Sequence, residues 1–493
     1  MIPYADFTFF GLLLYAVIPT LILGLFGRAG WRWALLATAA ILVVQYHGLL
    51  TIRPGLGVRE LWIVIGFAVW QWLTLRLFAA AGAPGGWAFY GSVAASILPL
   101  LAAKLLPVIW VGSQFGFLGI SYVTFRALDL VFCLRDQIIT LPGPLDFFGF
   151  LFFFPTISAG PIDRYRRFAT DWRRRRTRAE FLADLDAGMH RIFRGFFYKF
   201  ILAALIKQYW LERAASSGHF WALVSYMYAY TFYLFFDFAG YSAFAIALSY
   251  LFGVHTPENF QRPFLARNIR DFWNRWHITL SFWFRDHVYM RFLLAATRGQ
   301  WFRGKHTAAI LGYFLAFGLM GLWHGIEPHY IFYGLYQAAL LSGFHVFSSL
   351  KKPPSERRDT LLRHAASVLI TFQFVSIGLL IFSGRIGAPP LSHHLSDIDG
   401  ADCYEMFGWA WDKHRPNAPV DVDLWDGDRY ILTFPANEFR QDLLDAGYGN
   451  GQHAFHLWTP SVLKDGRPHT VHLRIAGSRV ELKGSPKVLV CPK

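Results

Sequence analysis

The chain has 493 residues, of which 55% are hydrophobic, 18% aromatic and only 16% charged, with a formal net charge of +15. Soluble domains carry about 25% charged residues, so the composition excludes an ordinary soluble enzyme. The basicity does not point to nucleic acid, because basic loops on a membrane protein report orientation.

Met1 to Phe10 have no basic n-region and no small-residue cleavage site, so the first apolar segment reads as a retained span rather than a signal peptide. Apolar runs near the length that crosses a bilayer, roughly 20 residues, recur at 7–26, 32–50, 61–80, 92–111, 114–133, 145–160, 192–211, 219–251, 277–296, 308–325, 329–349 and 365–383. The run at 145–160 is short enough to be re-entrant. The run at 219–251 is long enough to hold one span and part of another. The pattern predicts an α-helical polytopic membrane protein of about eleven spans, with re-entrant or interfacial helices.

Arginines concentrate between Arg164 and Arg178, with Arg173, Arg174, Arg175 and Arg176 consecutive, and a second basic cluster runs from Lys351 to Arg363. Both read as cytoplasmic loops, which sends the chain beyond 383 to the outer face. The arginine run suits contact with anionic lipid or, more sharply, docking of an acidic protein.

Composition changes after Gly387-Ala388-Pro389-Pro390, dividing a membrane domain, 1–387, from a soluble one, 388–493. From Leu391 onward there are 11 Lys/Arg against 14 Asp/Glu, so the second domain is acidic and the first strongly basic. Tyr430–Phe434, His453–Trp458, Thr470–Ile475 and Arg479–Leu482 read as strands separated by turn residues. The domain is therefore expected to be a small all-β sandwich or barrel, with Asp426-Gly427 and Asp465-Gly466 at tight hairpin turns. Cys403 and Cys491 sit near its two ends. In an oxidising compartment they are placed to pair, and otherwise they remain thiols; Cys133 reads as a core residue. His393-His394 lacks metal-ligand spacing and reads as a solvated linker; no metal site is expected.

The chemistry concentrates in residues 268–286, where Arg270, Asp271, Trp273, Asn274, Trp276, His277, Ser281, Arg285 and Asp286 stand side by side in a largely apolar chain. Ionisable groups at membrane depth are costly and mark functional sites. If 270–287 is helical, Phe272, Trp273, Trp276, Leu280, Trp283 and Phe284 form one stripe with His277 at its edge. Forty-seven residues on, His324 lies in Gly321-Leu322-Trp323-His324-Gly325. Gly318, Gly321 and Gly325 strip one helix face of side chains, which lets helices approach closely or leaves room for a substrate. A lone histidine in an apolar helix is more often a packing residue, but imidazole is also the usual general base.

These blocks resemble the membrane-bound O-acyltransferase superfamily. The resemblance is carried by Phe153-Phe154-Pro155-Thr156-Ile157-Ser158-Ala159-Gly160-Pro161-Ile162-Asp163-Arg164, Phe236-Asp237-Phe238-Ala239-Gly240-Tyr241-Ser242, Pro257-Glu258-Asn259-Phe260, residues 268–286 and Gly321–Gly325, in order. It implies that His324 is the catalytic histidine and His277 the second histidine beside the acyl channel, lined by Trp323, Asn274, Trp276, Ser281, Arg285 and Asp286. Arg285-Asp286-His287-Val288-Tyr289-Met290-Arg291-Phe292 is similar to the branch that moves D-alanine from a carrier protein toward teichoic-acid-type polymers. The polysaccharide O-acetyltransferase branch tends to carry Pro-Leu-Gly-Gly where this chain has Arg291-Phe292-Leu293. The chain departs from the family at His287, where tyrosine is usual, and at Gln337, where histidine is common.

The resemblance implies a bacterial plasma-membrane enzyme with no bound cofactor. Its donor is an aminoacyl thioester on the phosphopantetheine of an acidic D-alanyl carrier protein, docking at Arg173–Arg176. Its acceptor is a hydroxyl of an envelope glycopolymer or glycolipid. Polysaccharide O-acetylation is the alternative enzyme. A non-enzymatic transporter is the alternative outside enzymes, and it would show an inverted repeat that the sequence lacks. Phe407-Gly408-Trp409-Ala410-Trp411-Asp412 is similar to small domains appended to bacterial glycan-modifying enzymes.

Overall fold

The computed structural model describes residues 3–5, 7–28, 30–46, 56–82, 86–109, 115–215, 219–350, 360–386, 394–413, 415–477 and 480–492. The chain forms two compact units, Met1–Leu211 with Val224–Ala388, and Glu212–Leu223 with Pro389–Lys493. The residues from Lys351 to Arg358 and the Gly387–Pro390 junction lie outside the described residues, as does His393.

Six helices among the described residues are long and apolar enough to cross a membrane: Phe7–Leu25, Arg59–Ala80, Trp87–Leu106, Phe220–Leu251, Thr307–His324 and Leu361–Phe382. Shorter apolar segments, Trp31–Tyr46 and Pro144–Thr156, stand among them. The run at 219–251 is a single helix of 32 residues, not a span followed by part of a second. At 1.5 Å per residue it is about 48 Å long; none of its residues is a proline or a charged group that would stop it before Asp237. Helix Arg178–Phe196 opens on a capping box, with Thr177 and Glu180 each taking the other's backbone N–H, and continues into π-helical turns.

The segment at 145–160 is a short helix, Pro144–Leu151, followed by a 3-10 turn, Phe154–Thr156. Breaking a helix at membrane depth frees carbonyl groups that lipid cannot satisfy. Arg126, 1% exposed, supplies the missing donors. Its guanidinium reaches the carbonyls of Phe150 at 3.0 Å, Leu151 at 3.2 Å and Thr156 at 2.8 Å.

Helices Thr307–His324 and Pro328–Leu350 pack backbone to backbone. A Cβ built on Gly321 would stand 2.5 Å from the Tyr330 carbonyl oxygen, and one on Gly334 would stand 2.3 Å from that of Phe317. Gly318 has nothing within 4 Å, so of the two uses of small residues, Gly321 serves close approach and Gly318 leaves space. Gly334→Ala is expected to push the two helices apart and lower Tm, with a cost of about 1–3 kcal/mol, read by thermal unfolding in detergent.

Most of the arginine run is already engaged. Arg167 pairs with Asp163, Arg173 with Asp146 at 2.7 Å and Arg174 with Glu180. Arg176 binds Asp184 and the carbonyls of Tyr250 and Leu251, all at 2.8 Å, tying the end of helix Phe220–Leu251 to the start of Arg178–Phe196. His255 completes this knot, with Nε2 at 2.8 Å from Asp184 and Nδ1 at 3.3 Å from Asp171. The hydrogen bond to Asp184 raises the His255 pKa above its ordinary value. A raised folded-state pKa contributes stability that is complete below the unfolded value, about 6.5, and is lost as pH rises through the folded value. The Tm deficit of His255→Gln is therefore expected to be larger near pH 6 than near pH 9, measured by differential scanning fluorimetry on both proteins.

The second unit is a sandwich of two four-stranded antiparallel sheets. Its strands are β1 (His394–Ala401), β2 (Glu405–Asp412), β3 (Val420–Asp426), β4 (Arg429–Ala436), β5 (Glu438–Phe439), β6 (Gln452–Trp458), β7 (Pro468–Ile475) and β8 (Lys487–Val490). The orders are β1-β2-β6-β5 and β4-β3-β7-β8, with Met406, Ala410, Val422, Leu424, Phe455, Val471 and Leu473 in the core between them. Gly427 and Asp428 form a two-residue hairpin between the paired residues Asp426 and Arg429. Asp465-Gly466 is a turn but joins no paired strands, because β6 and β7 lie in different sheets. In the expected strand 479–482, Arg479 lies outside the described residues and Glu481 makes only an isolated bridge to Arg474. Cys403 and Cys491 form a disulfide, and Cys133 is free and buried.

Candidate active site

Residues 268–286 do not form one helix. Asn268 caps a short helix, Ile269–Trp273, by accepting the Asp271 N–H at 2.9 Å, and a second helix begins only at Ile278. Between them His277 adopts φ 43, ψ 50, a left-handed conformation uncommon outside glycine. Helical periodicity cannot reveal such a break, and the apolar positions 272, 273, 276, 280, 283 and 284 are buried on both sides of it.

The strain is held by the segment around Asn259. The Ile278 N–H donates to the Asn259 carbonyl at 3.0 Å, and the Gln261 N–H donates to Arg275 at 2.9 Å. The Asn259 side chain then fixes the imidazole. Thr279 Oγ1 accepts the Ile162 N–H at 3.0 Å, leaving its own proton to donate to Asn259 Oδ1 at 2.9 Å. Oδ1 is thus an acceptor, so His277 Nδ1, 3.1 Å away, carries the proton and Nε2 keeps the lone pair. Asn259 Nδ2 donates to Ser242 at 3.3 Å. Tyr241 accepts the Ala159 N–H at 3.0 Å and lies 2.6 Å from Ser158. Phe238 meets the His277 ring edge-on at 4.8 Å.

His324 ends helix Thr307–His324. Its ring lies among Trp323 at 4.6 Å, Phe382 at 4.9 Å and Tyr330 at 6.0 Å. No hydrogen bond fixes either nitrogen among the described residues. Trp323 packs on Tyr122 and Phe125, and Phe125 packs on Trp283 at 4.4 Å. The Trp323 indole N–H is buried and has no hydrogen-bond partner among the described residues.

A cavity of about 330 Å³ is lined by Arg270, Trp273, Asn274, Ser281, Arg285, Tyr313, Phe317 and Met320, with further apolar groups. Tyr313, Phe317, Met320 and His324 follow one another at helical spacing and so share a face. The cavity wall therefore runs along that face to within one turn of His324.

Of the channel residues implied by resemblance, Asn274, Ser281 and Arg285 line this cavity. Trp276 faces Phe260 at 5.1 Å and Phe272 at 5.6 Å instead, and Trp323 sits beside His324. Asp286 is held by Arg164 at 3.2 Å and Arg285 at 2.8 Å. His287, in a π-helical turn, lies 3.0 Å from the buried carboxylate of Asp129, which also receives Arg164 at 2.9 Å. Gln337 accepts the Trp273 indole N–H at 3.2 Å. Asn259, Thr279 and Arg270 lie in the recognised blocks, but the hydrogen bonding of Asn259 and Thr279 is legible only once the loops are brought together; Met320 carries no distinguishing signal. No group of three His, Cys, Asp or Glu among the described residues is arranged to hold a metal.

Helices of membrane-spanning length, a broken apolar segment, a buried His277 and a cavity whose wall leads toward a half-buried His324 suit a membrane acyltransferase. The model of the MBOAT, membrane-bound O-acyltransferase family, matches residues 30–382, and the chain belongs to that family; it is a multi-pass membrane acyltransferase. It is 41% identical over 414 residues to a teichoic acid D-alanyltransferase of Bacillus subtilis, covering 80% of this chain and 100% of that one. To the teichoic acid D-alanyltransferase of Streptococcus thermophilus it is 35% identical over 78% of this chain and 95% of the relative. A probable alginate O-acetylase of Pseudomonas syringae is 33% identical over 54% of this chain and 48% of its own length. The family match stops before the β-sandwich begins.

Asn259→Leu removes the acceptor that orients His277 while keeping the side chain's size. It is expected to lower kcat by up to about a hundredfold with KM for the donor little changed, in a steady-state transfer assay.

Proposed function

We propose that this protein transfers a D-alanyl group from the phosphopantetheine thioester of an acidic carrier protein to a hydroxyl of a teichoic-acid-type envelope polymer or its lipid-linked form. The single observation that carries the reading is the cavity wall that runs along Tyr313, Phe317 and Met320 to about one helical turn from His324, whose imidazole has no hydrogen-bond partner among the described residues. An acyl arm entering past Arg270 and Arg285 would place its thioester carbonyl beside His324. That imidazole takes the proton of the acceptor hydroxyl as the oxygen attacks the carbonyl carbon. The carbon–sulfur bond breaks, the sulfur leaves as the pantetheine thiolate, and the imidazolium returns the proton to it.

Charge develops on the carbonyl oxygen in this step, and a preorganised donor stabilises it. We assign that role to the buried N–H of Trp323, which has no hydrogen-bond partner among the described residues. His277, with Nδ1 held by Asn259, presents an Nε2 lone pair that accepts from a neighbouring hydroxyl of the acceptor, leaving the reacting O–H to His324. The apolar rings of Phe125, Trp283 and Phe382 keep water away from the thioester. D-alanyl transfer is favoured over polysaccharide O-acetylation because the similarity takes in the whole of the Bacillus relative but about half of the alginate one.

The test uses purified protein in nanodiscs with carrier protein charged with radiolabelled D-alanine and a hydroxyl-bearing glycolipid. Wild type is expected to move label from thioester to acceptor, and His324→Ala to lose at least about a hundredfold in rate while remaining folded and inserted. Wild-type turnover in that variant removes His324 from the mechanism, and transfer of acetyl but not D-alanyl groups selects the acetylase reading.

The docking role first attached to Arg173–Arg176 narrows to Arg175. Arg173, Arg174 and Arg176 are paired with Asp146, Glu180 and Asp184, although Arg173 and Arg174 stay about half exposed, whereas Arg175 is exposed and enters no ion pair among the described residues. Arg175→Glu is expected to raise KM for the carrier several-fold at low salt and much less at high salt.

A further inference from the structure

The β-sandwich lies outside the family match, and one of its faces is unusual. Along β2, Met406, Gly408 and Ala410 point inward, so Glu405, Phe407 and Trp409 point outward. On the adjacent strand β6, His456 stands opposite Phe407 and Trp458 opposite Glu405, and both are exposed, Trp458 by 69%. Tyr448, from a loop in which Gly447 and Gly449 take φ 80 and φ 55, folds over the sheet and stacks on Trp409 at 5.0 Å with an interplanar angle of 20°. A water-facing sheet surface normally carries polar residues. This one carries a row of aromatic rings interleaved with hydrogen-bonding groups. The Glu405 carboxylate pairs with His456 Nε2 at 2.6 Å, and Asp397, opposite Trp409, pairs with Lys483 at 2.5 Å.

We propose that this face of the β1-β2-β6-β5 sheet is a binding platform for a pyranose-containing glycan, gripped by Trp409, Tyr448 and Trp458 and hydrogen-bonded by Glu405 and His456. The chemistry selects this occupant. An aromatic face carries a negative quadrupole and attracts the weakly positive C–H face of a pyranose ring. A carboxylate and an imidazole beside it suit the hydroxyls at the ring edge. Anionic lipid is disfavoured by Glu405 and Asp397 on the same surface. A protein partner would call for a contiguous apolar core with charge at the rim, whereas here charged groups lie between the rings. The Cys403–Cys491 disulfide fits an oxidising compartment, which is where envelope polysaccharide is found. The proposal does not depend on the acyl-transfer reading.

The test uses the full-length protein in nanodiscs and measures co-sedimentation with envelope polysaccharide of the producing bacterium, stripped of protein and lipid. A parallel arm uses phosphatidylglycerol vesicles. Wild type is expected to sediment with the polysaccharide, and Trp458→Ala and Glu405→Gln each to raise the half-saturating concentration about tenfold. Resistance of the sandwich to limited proteolysis reports that it is folded in each variant, and carrier thioester turnover reports the membrane unit separately. Failure of wild type to sediment, or sedimentation of both folded variants like wild type, overturns the proposal. Binding to the vesicles but not to the polysaccharide overturns it as well and assigns the face to lipid.

Discussion

A buried guanidinium is the constraint on which the membrane unit turns. Hydrocarbon offers no hydrogen bonds, so a chain that leaves helical geometry at membrane depth must find donors for its carbonyls within the protein. Arg126 provides them to Phe150, Leu151 and Thr156 from a single planar fork. Lysine could not reproduce this, because its one ammonium cannot span three separated acceptors in the same geometry. With the break at 152–156 stabilised, the following loop is free to run through Ser158, Ala159 and Ile162 to the histidine side of the unit.

That loop gives the recognised sequence blocks a physical meaning. Ser158 and Ala159 meet Tyr241, Ser242 meets Asn259, Asn259 meets His277 and Thr279, and Thr279 returns to Ile162. Four blocks scattered over more than a hundred positions close into one hydrogen-bonded ring around an imidazole. The fifth block joins by packing alone, through Trp323 on Phe125 and Phe125 on Trp283. The side chains of Tyr241, Ser242, Asn259, His277 and Thr279 in the ring are buried, and loss of one leaves a buried neighbour unpaired at a cost of about 1–3 kcal/mol.

Much of this architecture is legible from the amino-acid pattern, for physical reasons. Apolar segments of membrane-spanning length announce themselves through composition, and the strands at Tyr430–Phe434, His453–Trp458 and Thr470–Ile475 through alternation. Long-range pairing is what the pattern conceals. Arg173, Arg174 and Arg176 look like free charge in the sequence because Asp146, Glu180 and Asp184 are separated from them or hidden in a mixed helix. His277 looks like the edge of a helical stripe because the residues before and after it keep helical spacing. The break depends on Asn259, eighteen positions earlier. Helix Phe220–Leu251 exceeds ordinary span length with nothing in its composition to say where the membrane begins and ends.

The left-handed backbone at His277 places two demands on one position. The main chain favours glycine, which adopts φ 43 without a steric penalty, while the side chain must fill the space between Asn259 and Phe238. Glycine would relax the first demand and leave a void the size of an imidazole. A β-branched residue would fill part of that void and strain the turn. Few amino acids satisfy both, so position 277 has almost no neutral route by which to drift. The activity of the cleft can diversify through the residues around this histidine far more readily than through the histidine itself.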